Sequence, residues 1–268
     1  MRYVGTAIRG QNDWVEEALL GGNLQDAVRI GDTVHRRAGL WTPSVHALLR
    51  YLERASFPAP RVVGMDAQGR EVLRYVEGEA YNGTSERLPR ILLADDLLVG
   101  AARLLRRYHD VVAEFRPPPN ATWRLTAPTT YEVICQNDWT PWNVLLRRGH
   151  VELMLDWDLA GPGTRVWDVG NAVYAWVPLI AASHLAPKLP EQIRRLRLFL
   201  DSYGLHDRSE LLPTMRSRLL HVSALIVREA EAGDPGMQRL VAMGAPQNMV
   251  TNDVAWLDEN WAALERAL

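Results

Sequence analysis

The stretch Gln136-Asn137-Asp138-Trp139-Thr140-Pro141-Trp142-Asn143, followed by Leu155-Asp156-Trp157-Asp158, constrains this chain more than any other part of it. Between the two lie Val144-Leu145-Leu146 and Glu152-Leu153-Met154-Leu155, flanking Arg148-Gly149-His150. Two short apolar runs about a glycine turn read as a β-hairpin. If the hairpin folds back, Asn143 and Asp156 converge. A neutral oxygen donor with a carboxylate suits Mg2+, which takes hard oxygen ligands and shares them with substrate phosphates. Asp158 is an auxiliary ligand or a partner of the ligands. Asp138 is then left to accept a proton from an incoming hydroxyl. Kinases divide phosphoryl transfer in this way, with one Asp for the nucleophile and an Asn and an Asp for the metal. A single Asp or Asn after a strand is usually a turn former. The ordered set, an Asp-x-x-x-x-Asn loop and an Asp-x-Asp after a hairpin, is poorly explained that way.

The remaining composition narrows the class. The chain has 268 residues, enough for one large domain or two modest lobes, and is 47% apolar and 23% charged. Thirty basic residues face 32 acidic ones, a formal charge of −2, so no overall positive field recruits nucleic acid or an anionic membrane. One cysteine, Cys135, excludes an internal disulfide and any multi-cysteine metal site. No run of about 18 apolar residues is present to span a membrane, and Met1 to Glu17 has no leader-like apolar stretch. A cytoplasmic location is expected. Lys188 is the only lysine, which matters because phosphate sites often use one.

The chain changes character near residue 78. Before it, Val28 to Ile30 and Thr33 to Arg36 flank Gly31-Asp32, and Arg61 to Met65 and Glu71 to Val76 flank Asp66 to Gly69. Both are hairpin patterns. Between them Thr42 can cap and Pro43 can open a helix over Ser44 to Ala55, with Val45, Leu48, Leu49 and Leu52 at helical spacing. After Gly78, Leu92 to Phe115 reads as a long helix and Tyr131 to Cys135 as a short strand. From Val166 the chain reads as helices broken at proline and glycine. The expected fold is α/β (α+β) and bilobal, a small β-rich N-lobe over residues 1–77 and a larger helical C-lobe over 78–268.

With these residues in place, the sequence resembles the aminoglycoside phosphotransferase family of kinase-like small-molecule kinases. Within it, the resemblance is nearest to a short actinobacterial branch with trifolitoxin-immunity-like members. Gln136 to Asn143 matches the family's His-x-Asp-x-x-x-x-Asn loop with Gln136 at the histidine position, and Asp156-Trp157-Asp158 matches its metal-binding element. Ala160 to Val169 matches the segment after it. The resemblance implies a protein-kinase-like fold with ATP and Mg2+ as cofactors. It implies that Gln136 supports the backbone near Asp156 and that Asp168 braces the loop from a helix start.

In the N-lobe the resemblance implies a glycine-rich turn, of which Gly21 and Val28 remain in Gly21-Gly22-Asn23-Leu24-Gln25-Asp26-Ala27-Val28. The strand lysine that holds phosphates is absent. Strand alternation puts Val34 and Arg36 on one face, Val34 toward the adenine and Arg36 toward the phosphates, with Arg37 as the substitute. The helix glutamate that partners such a lysine is also missing. Val45 and His46 stand there, and Glu53 lies almost two turns on. Either His46 supports Arg36 indirectly or the ion pair is absent. Leu73 to Gly78 looks like the family's linker between lobes. The backbone of Arg74 to Val76 would meet the purine edge and Glu77 would reach a ribose hydroxyl. His109 reads as a core or helix-end residue.

Trp139 and Trp142 flank Asp138 and are expected to form an apolar wall for the acceptor. Glu229, Glu231, Asp234, Asp253, Asp258 and Glu259 offer carboxylates for a polyamine acceptor, although soluble helices carry such residues anyway. The reading is a phosphotransferase acting on an alcohol group of a small molecule, an antibiotic or a natural-product intermediate. The alternatives are a non-catalytic binding or immunity protein on the same fold, and a kinase acting on a biosynthetic peptide.

Overall fold

The computed structural model describes residues 7–9, 15–18, 27–81, 90–181 and 186–268. The first lobe is one antiparallel sheet and one helix. Its strands are β1 (Ala7–Arg9), β2 (Val15–Ala18), β3 (Val28–Ile30), β4 (Thr33–Arg37), β5 (Val62–Met65) and β6 (Arg70–Arg74), in the spatial order β1-β2-β3-β4-β6-β5. Two of the turns follow from their residues. Gly31 takes φ +60° between the paired Ile30 and Thr33. Asp66 accepts the Gln68 and Arg70 amides on its Oδ1, at 3.0 and 2.8 Å, closing an Asx-type turn that ends on Gly69 at φ +75°. β1 and β2 extend the sheet beyond the two hairpins legible in the sequence.

Helix α1 (Thr42–Arg54) buries Val45, Leu48, Leu49 and Leu52. Thr42 is not its cap. Trp41 holds that place, and the Thr42 hydroxyl accepts the Gly39 amide at 2.9 Å. Past β6 the chain runs to Glu79, which exchanges backbone hydrogen bonds of 2.8 and 2.7 Å with Leu146. Gly78 is needed for that approach, because a Cβ there would lie 2.5 Å from the Leu145 side chain and 2.9 Å from the Leu146 carbonyl oxygen.

The second lobe is helical with short strands inserted at its upper edge. Helix α2 (Asp95–Val112) follows a 3-10 turn at Arg90–Leu93, so the long helix starts later than the apolar pattern suggests. Strand β7 (Val133–Cys135) pairs with β10 (Gly161–Gly163), and β8 (Val144–Arg147) pairs with β9 (His150–Met154). In the β8–β9 turn Arg148 and Gly149 both have positive φ, +53° and +79°, as a tight two-residue hairpin requires. Helices α3 (Arg165–Trp176), α4 (Leu189–Tyr203), α5 (Leu211–Glu231), α6 (Pro235–Ala242), α7 (Ala245–Asn248) and α8 (Val254–Glu265) complete the lobe. The Thr164 hydroxyl and the Asp234 carboxylate cap α3 and α6, and α4 ends on left-handed Gly204. Tyr108, Trp139, Trp157, Trp176 and Phe199 lie in the core, on which the two strand pairs are seated. The lobes form the bilobal, kinase-like α/β architecture. Among the described residues no helix is long and apolar enough to cross a membrane.

Candidate active site

The loop after β7 is held from behind. Asp168, on the first turn of α3 and fully buried, accepts the amides of Gln136 at 2.7 Å and Asn137 at 2.8 Å. His109 of α2 meets the same carboxylate at 3.0 Å and reaches the Tyr203 hydroxyl at 2.7 Å with its other nitrogen. Asn137 sits at φ +68°, a left-handed conformation that Asn tolerates better than most residues. Its amide nitrogen donates to the Leu159 carbonyl, and its side-chain oxygen accepts from Trp167 at 3.0 Å and from Arg218 at 3.1 Å. Arg218, buried on α5, also donates to the Asn137 carbonyl. The turn at Asn137 sends Trp139 into the core and leaves Asp138 half-buried beside the cleft.

Asp138 and Asn143 are joined. The Asn143 amide nitrogen donates to the Asp138 carboxylate at 2.6 Å and to its carbonyl at 2.9 Å, which leaves the Asn143 side-chain oxygen as its donor for a ligand. The Asp138 amide donates to Gln136 Oε1 at 2.7 Å. Gln136 Nε2 in turn donates to the carbonyls of Leu155, at 3.2 Å, and Asp156, at 2.5 Å. The hairpin does fold back, since the Leu155 amide donates to the Asn143 carbonyl at 2.8 Å. Asn143 and Asp156 thereby line one cleft. Asp156 is the second left-handed residue of the site, at φ +47°.

Arg36 crosses from the sheet to this group. Its Nη2 lies 2.8 Å from Asp158, its Nη1 3.5 Å from Asp156, and its Nε donates to Glu71. Glu71 is also 2.9 Å from His46 Nε2. Burial opposes the Arg36 charge, but Asp158, Glu71 and Asp156 more than compensate and hold it as a cation. The carboxylates respond unequally. Burial, then the nearby Asp156 charge, pushes Asp138 up to about 8. Burial pushes Asp158 up to about 6 even though Arg36 opposes the shift. Burial would also raise Glu71, but Arg36 and His46 keep it below the ordinary glutamate value.

Three carboxylates thus face one guanidinium, an excess of negative charge that a divalent cation would neutralise. Among the described residues no three His, Cys, Asp or Glu side chains form a metal site unaided. Asn143, Asp156 and Asp158 supply hard oxygens in too small a number for a closed cage. That donor set fits Mg2+, which completes its shell with water and phosphate oxygens.

The cleft between the lobes has a volume of about 210 Å³. Val34, Leu73, Val76, Leu145 and Leu153 make it apolar, and Arg36, Asn143 and Asp156 lie on its wall. Arg74 and Val76 line it as well. The amides of Arg74 and Tyr75 are already given to the carbonyls of Arg61 and Asp32, both at 2.8 Å, so neither is available for a ligand edge. Val28 is not on this wall and its neighbour Ala27 is. Gly21 lies outside the described residues.

Two expectations about the acceptor are corrected. Trp139 is 0% exposed, packs at a tilt against Trp176 with ring centroids 5.6 Å apart and donates to the Ala101 carbonyl at 3.1 Å, so it is core and no wall for a ligand. Trp142, in contrast, lines the cleft together with Val34, Val76 and Asn143. Of the C-terminal carboxylates, Glu229 and Asp234 are tied by Arg124, Asp253 by Tyr174 and the Ala181 amide, and Asp258 by Arg216. Arg37 points away from the cluster, toward Asp234 at 3.6 Å.

Glu71 and Arg218 belong to the site and were not singled out from the sequence. Glu71 could have been found by laying β4 against β6, which sets it opposite Arg36. Arg218 could have been found as a charge one turn after Met215 and next to Leu219, on the buried stripe of α5.

The phosphotransferase enzyme family matches residues 120–199, the span that carries the loop, the hairpin and the Asp168 brace. The chain is 30% identical over 273 residues to the trifolitoxin immunity protein of Rhizobium leguminosarum bv. trifolii, covering 94% of this chain and 98% of that one. Among solved structures, it is similar to an amicoumacin kinase in complex with AMP-PNP, Ca2+ and Ami. The TM-score is 0.59 and the identity 10%, over 94% of this chain and 91% of that chain. An ADP-bound aminoglycoside phosphotransferase gives a TM-score of 0.54 at 13% identity, over 91% and 94% of the two chains. The chain belongs to the family of the trifolitoxin immunity protein, and its residues 120–199 carry the pattern of the phosphotransferase enzyme family.

Proposed function

We propose that the protein is an ATP-dependent phosphotransferase that uses Mg2+ and phosphorylates an alcohol group of a small molecule, an antibiotic or a natural-product intermediate. The observation that carries the reading is the convergence of Arg36, Asn143 and Asp156 at one apolar cleft between two lobes, with Asp138 hydrogen-bonded to Asn143. Residues 1–77 would roof the nucleotide, with Val34 and Val76 against the base and Arg36 at the phosphates. Residues 78–268 would supply the loop and the acceptor side. Asn143 and Asp156 would hold Mg2+ with help from Asp158, and the ion would neutralise charge on the phosphates. Asp138, oriented by Asn143, would align the acceptor hydroxyl and take its proton. Burial and Asp156 make that carboxyl hold its proton near neutral pH while no cation is bound, so the base role requires the ion on Asn143 and Asp156 to draw it back to the ionised form. Nearby phosphotransferases hold ADP and AMP-PNP, which supports a nucleotide in this cleft.

A second reading has its own observation. Arg36 pairs with Asp156 and Asp158, the carboxylates a metal would need, and the curated relative is an immunity protein. A protein that binds a toxin or other ligand without chemistry would tolerate that arrangement. The deciding experiment follows the γ-phosphate of ATP, with Mg2+, onto a panel of hydroxyl-bearing antibiotics and Ser- or Thr-containing peptides. Transfer that Asp138→Asn removes supports the enzyme. Tight acceptor binding with no transfer supports the second reading.

A further inference from the structure

We infer that Glu71, a strand residue tied to helix α1 through His46, is the positioning residue for Arg36, in the role that a helix glutamate plays for the phosphate-binding lysine of other kinase folds. The inference deepens the proposed function and rests on Arg36 as the phosphate clamp. Three observations carry it. Arg36 and Glu71 are direct cross-strand partners on β4 and β6, so the sheet itself sets their separation. Both are buried, at 9% and 2% exposure, and a buried charge persists only when it is paired. Each Glu71 oxygen has its own partner, Oε2 the Arg36 Nε and Oε1 the His46 ring at 2.9 Å.

The arrangement explains why an arginine stands where a lysine is usual. A guanidinium carries five N–H groups in a rigid fork. Nε is given to Glu71 and the two terminal nitrogens approach Asp156 and Asp158 with one contact each. One N–H on each terminal nitrogen is left for phosphate oxygens. An ammonium has only three N–H groups on one atom, and the same three carboxylates would take them all. Anchoring Nε on the sheet also fixes the direction of the fork. Without Glu71 the fork would be free to turn fully onto Asp156 and Asp158. The carboxylate has thus moved from the helix to the sheet, and His46 keeps α1 attached to it.

The test uses the full-length protein and calorimetric titration with Mg2+-ATP and, separately, with adenosine. Glu71→Gln should weaken Mg2+-ATP by about tenfold or more and adenosine by less than about threefold. The double variant Glu71→Gln with His46→Glu returns a carboxylate from the helix side and should recover most of the lost ATP affinity, which a merely structural role would not do. Equal losses for both ligands, or no loss, overturn the assignment of Glu71 while leaving Arg36 in place. If the single variant does not fold, the double variant decides. ATP affinity within about threefold of the unaltered protein supports the assignment, and a loss as large as that of Arg36→Ala overturns it. If the unaltered protein binds no Mg2+-ATP, the clamp reading itself fails, and this inference with it.

Discussion

The loop around Asp138 and the clamp around Arg36 solve the same problem, holding charged groups still at a cleft, by different means. The loop is built from one continuous run of chain. Its chemical side chains come from that run, while its strain at Asn137 is held from outside it, by Asp168 and Trp167 of α3 and Arg218 of α5. The clamp is assembled across strands and a helix, from Arg36, Glu71 and His46, which are far apart in sequence. The loop keeps its expected residue types except Gln136. In the proposed clamp, Arg36 stands where the kinase pattern has a lysine and Glu71 takes the part of the helix carboxylate. The change at Gln136 leaves the loop geometry in place, because the glutamine bonds the Asp138 amide and the Leu155 and Asp156 carbonyls. A cross-element device can trade partners as long as charge is balanced.

That comparison sets the size of the expected effects. The largest belongs to the loop. Asp138→Asn is nearly isosteric and removes the base, so turnover with a true acceptor should fall by about 10² to 10⁴ with ATP affinity nearly kept. Steady-state kinetics on an identified acceptor checks this, and full activity would place the base elsewhere. Arg36→Ala comes next. It should weaken Mg2+-ATP by about 10- to 100-fold, the range of one lost charge-assisted hydrogen bond, while adenosine binding barely changes. An equal loss for both ligands would break the distinction between clamp and base pocket. Arg218→Met should cost about 1–3 kcal/mol of stability by leaving Asn137 acceptors unpaired in the core, and it should lower turnover more than ATP affinity. Denaturant unfolding and kinetics on the same sample test the pair of effects.

The smallest effect is a pH dependence of stability in the metal-free protein. Asp138 is raised in the folded state, to about 8, so it keeps its proton where the unfolded chain has lost it. The sign follows from linkage. Its contribution is fully present below the unfolded value and is lost as pH rises toward about 8. Asp138→Asn should therefore gain little at pH 4 and most at pH 8, about 2–8 °C in Tm for a gain of one to two kcal/mol. A gain that shrinks from pH 4 to pH 8 would contradict the burial of this carboxyl.

How much of this was legible in the sequence follows the same division. The hairpins at Gly31-Asp32, Asp66 to Gly69 and Arg148-Gly149 are written in turn residues, and the structure forms all three. The approach of Asn143 to Asp156 follows from the third of them. The burial of Trp139 is not legible from its place beside Asp138, because adjacency says nothing about direction, and the left-handed turn at Asn137 buries Trp139 and leaves Asp138 half-buried. Glu71 is not legible on α1, where the family pattern places such a carboxylate. Its pairing with Arg36 depends on β6 lying beside β4, and no local pattern states that order. Strands β1 and β2 are three and four residues long, too short for alternation to show, although Gly10 to Asp13 between them are rich in turn formers.

Thermal unfolding of the protein with ATP, with and without Mg2+, and of Asp156→Ala under the same conditions tests the site most directly. A ligand that binds the folded state raises its stability by an amount set by its concentration over Kd. ATP should raise Tm, Mg2+ should enlarge that rise, and the Mg2+ increment should vanish in Asp156→Ala while its ligand-free fold persists. No rise with ATP, or the same Mg2+ increment in Asp156→Ala, would contradict a nucleotide and metal site built on Arg36, Asn143 and Asp156.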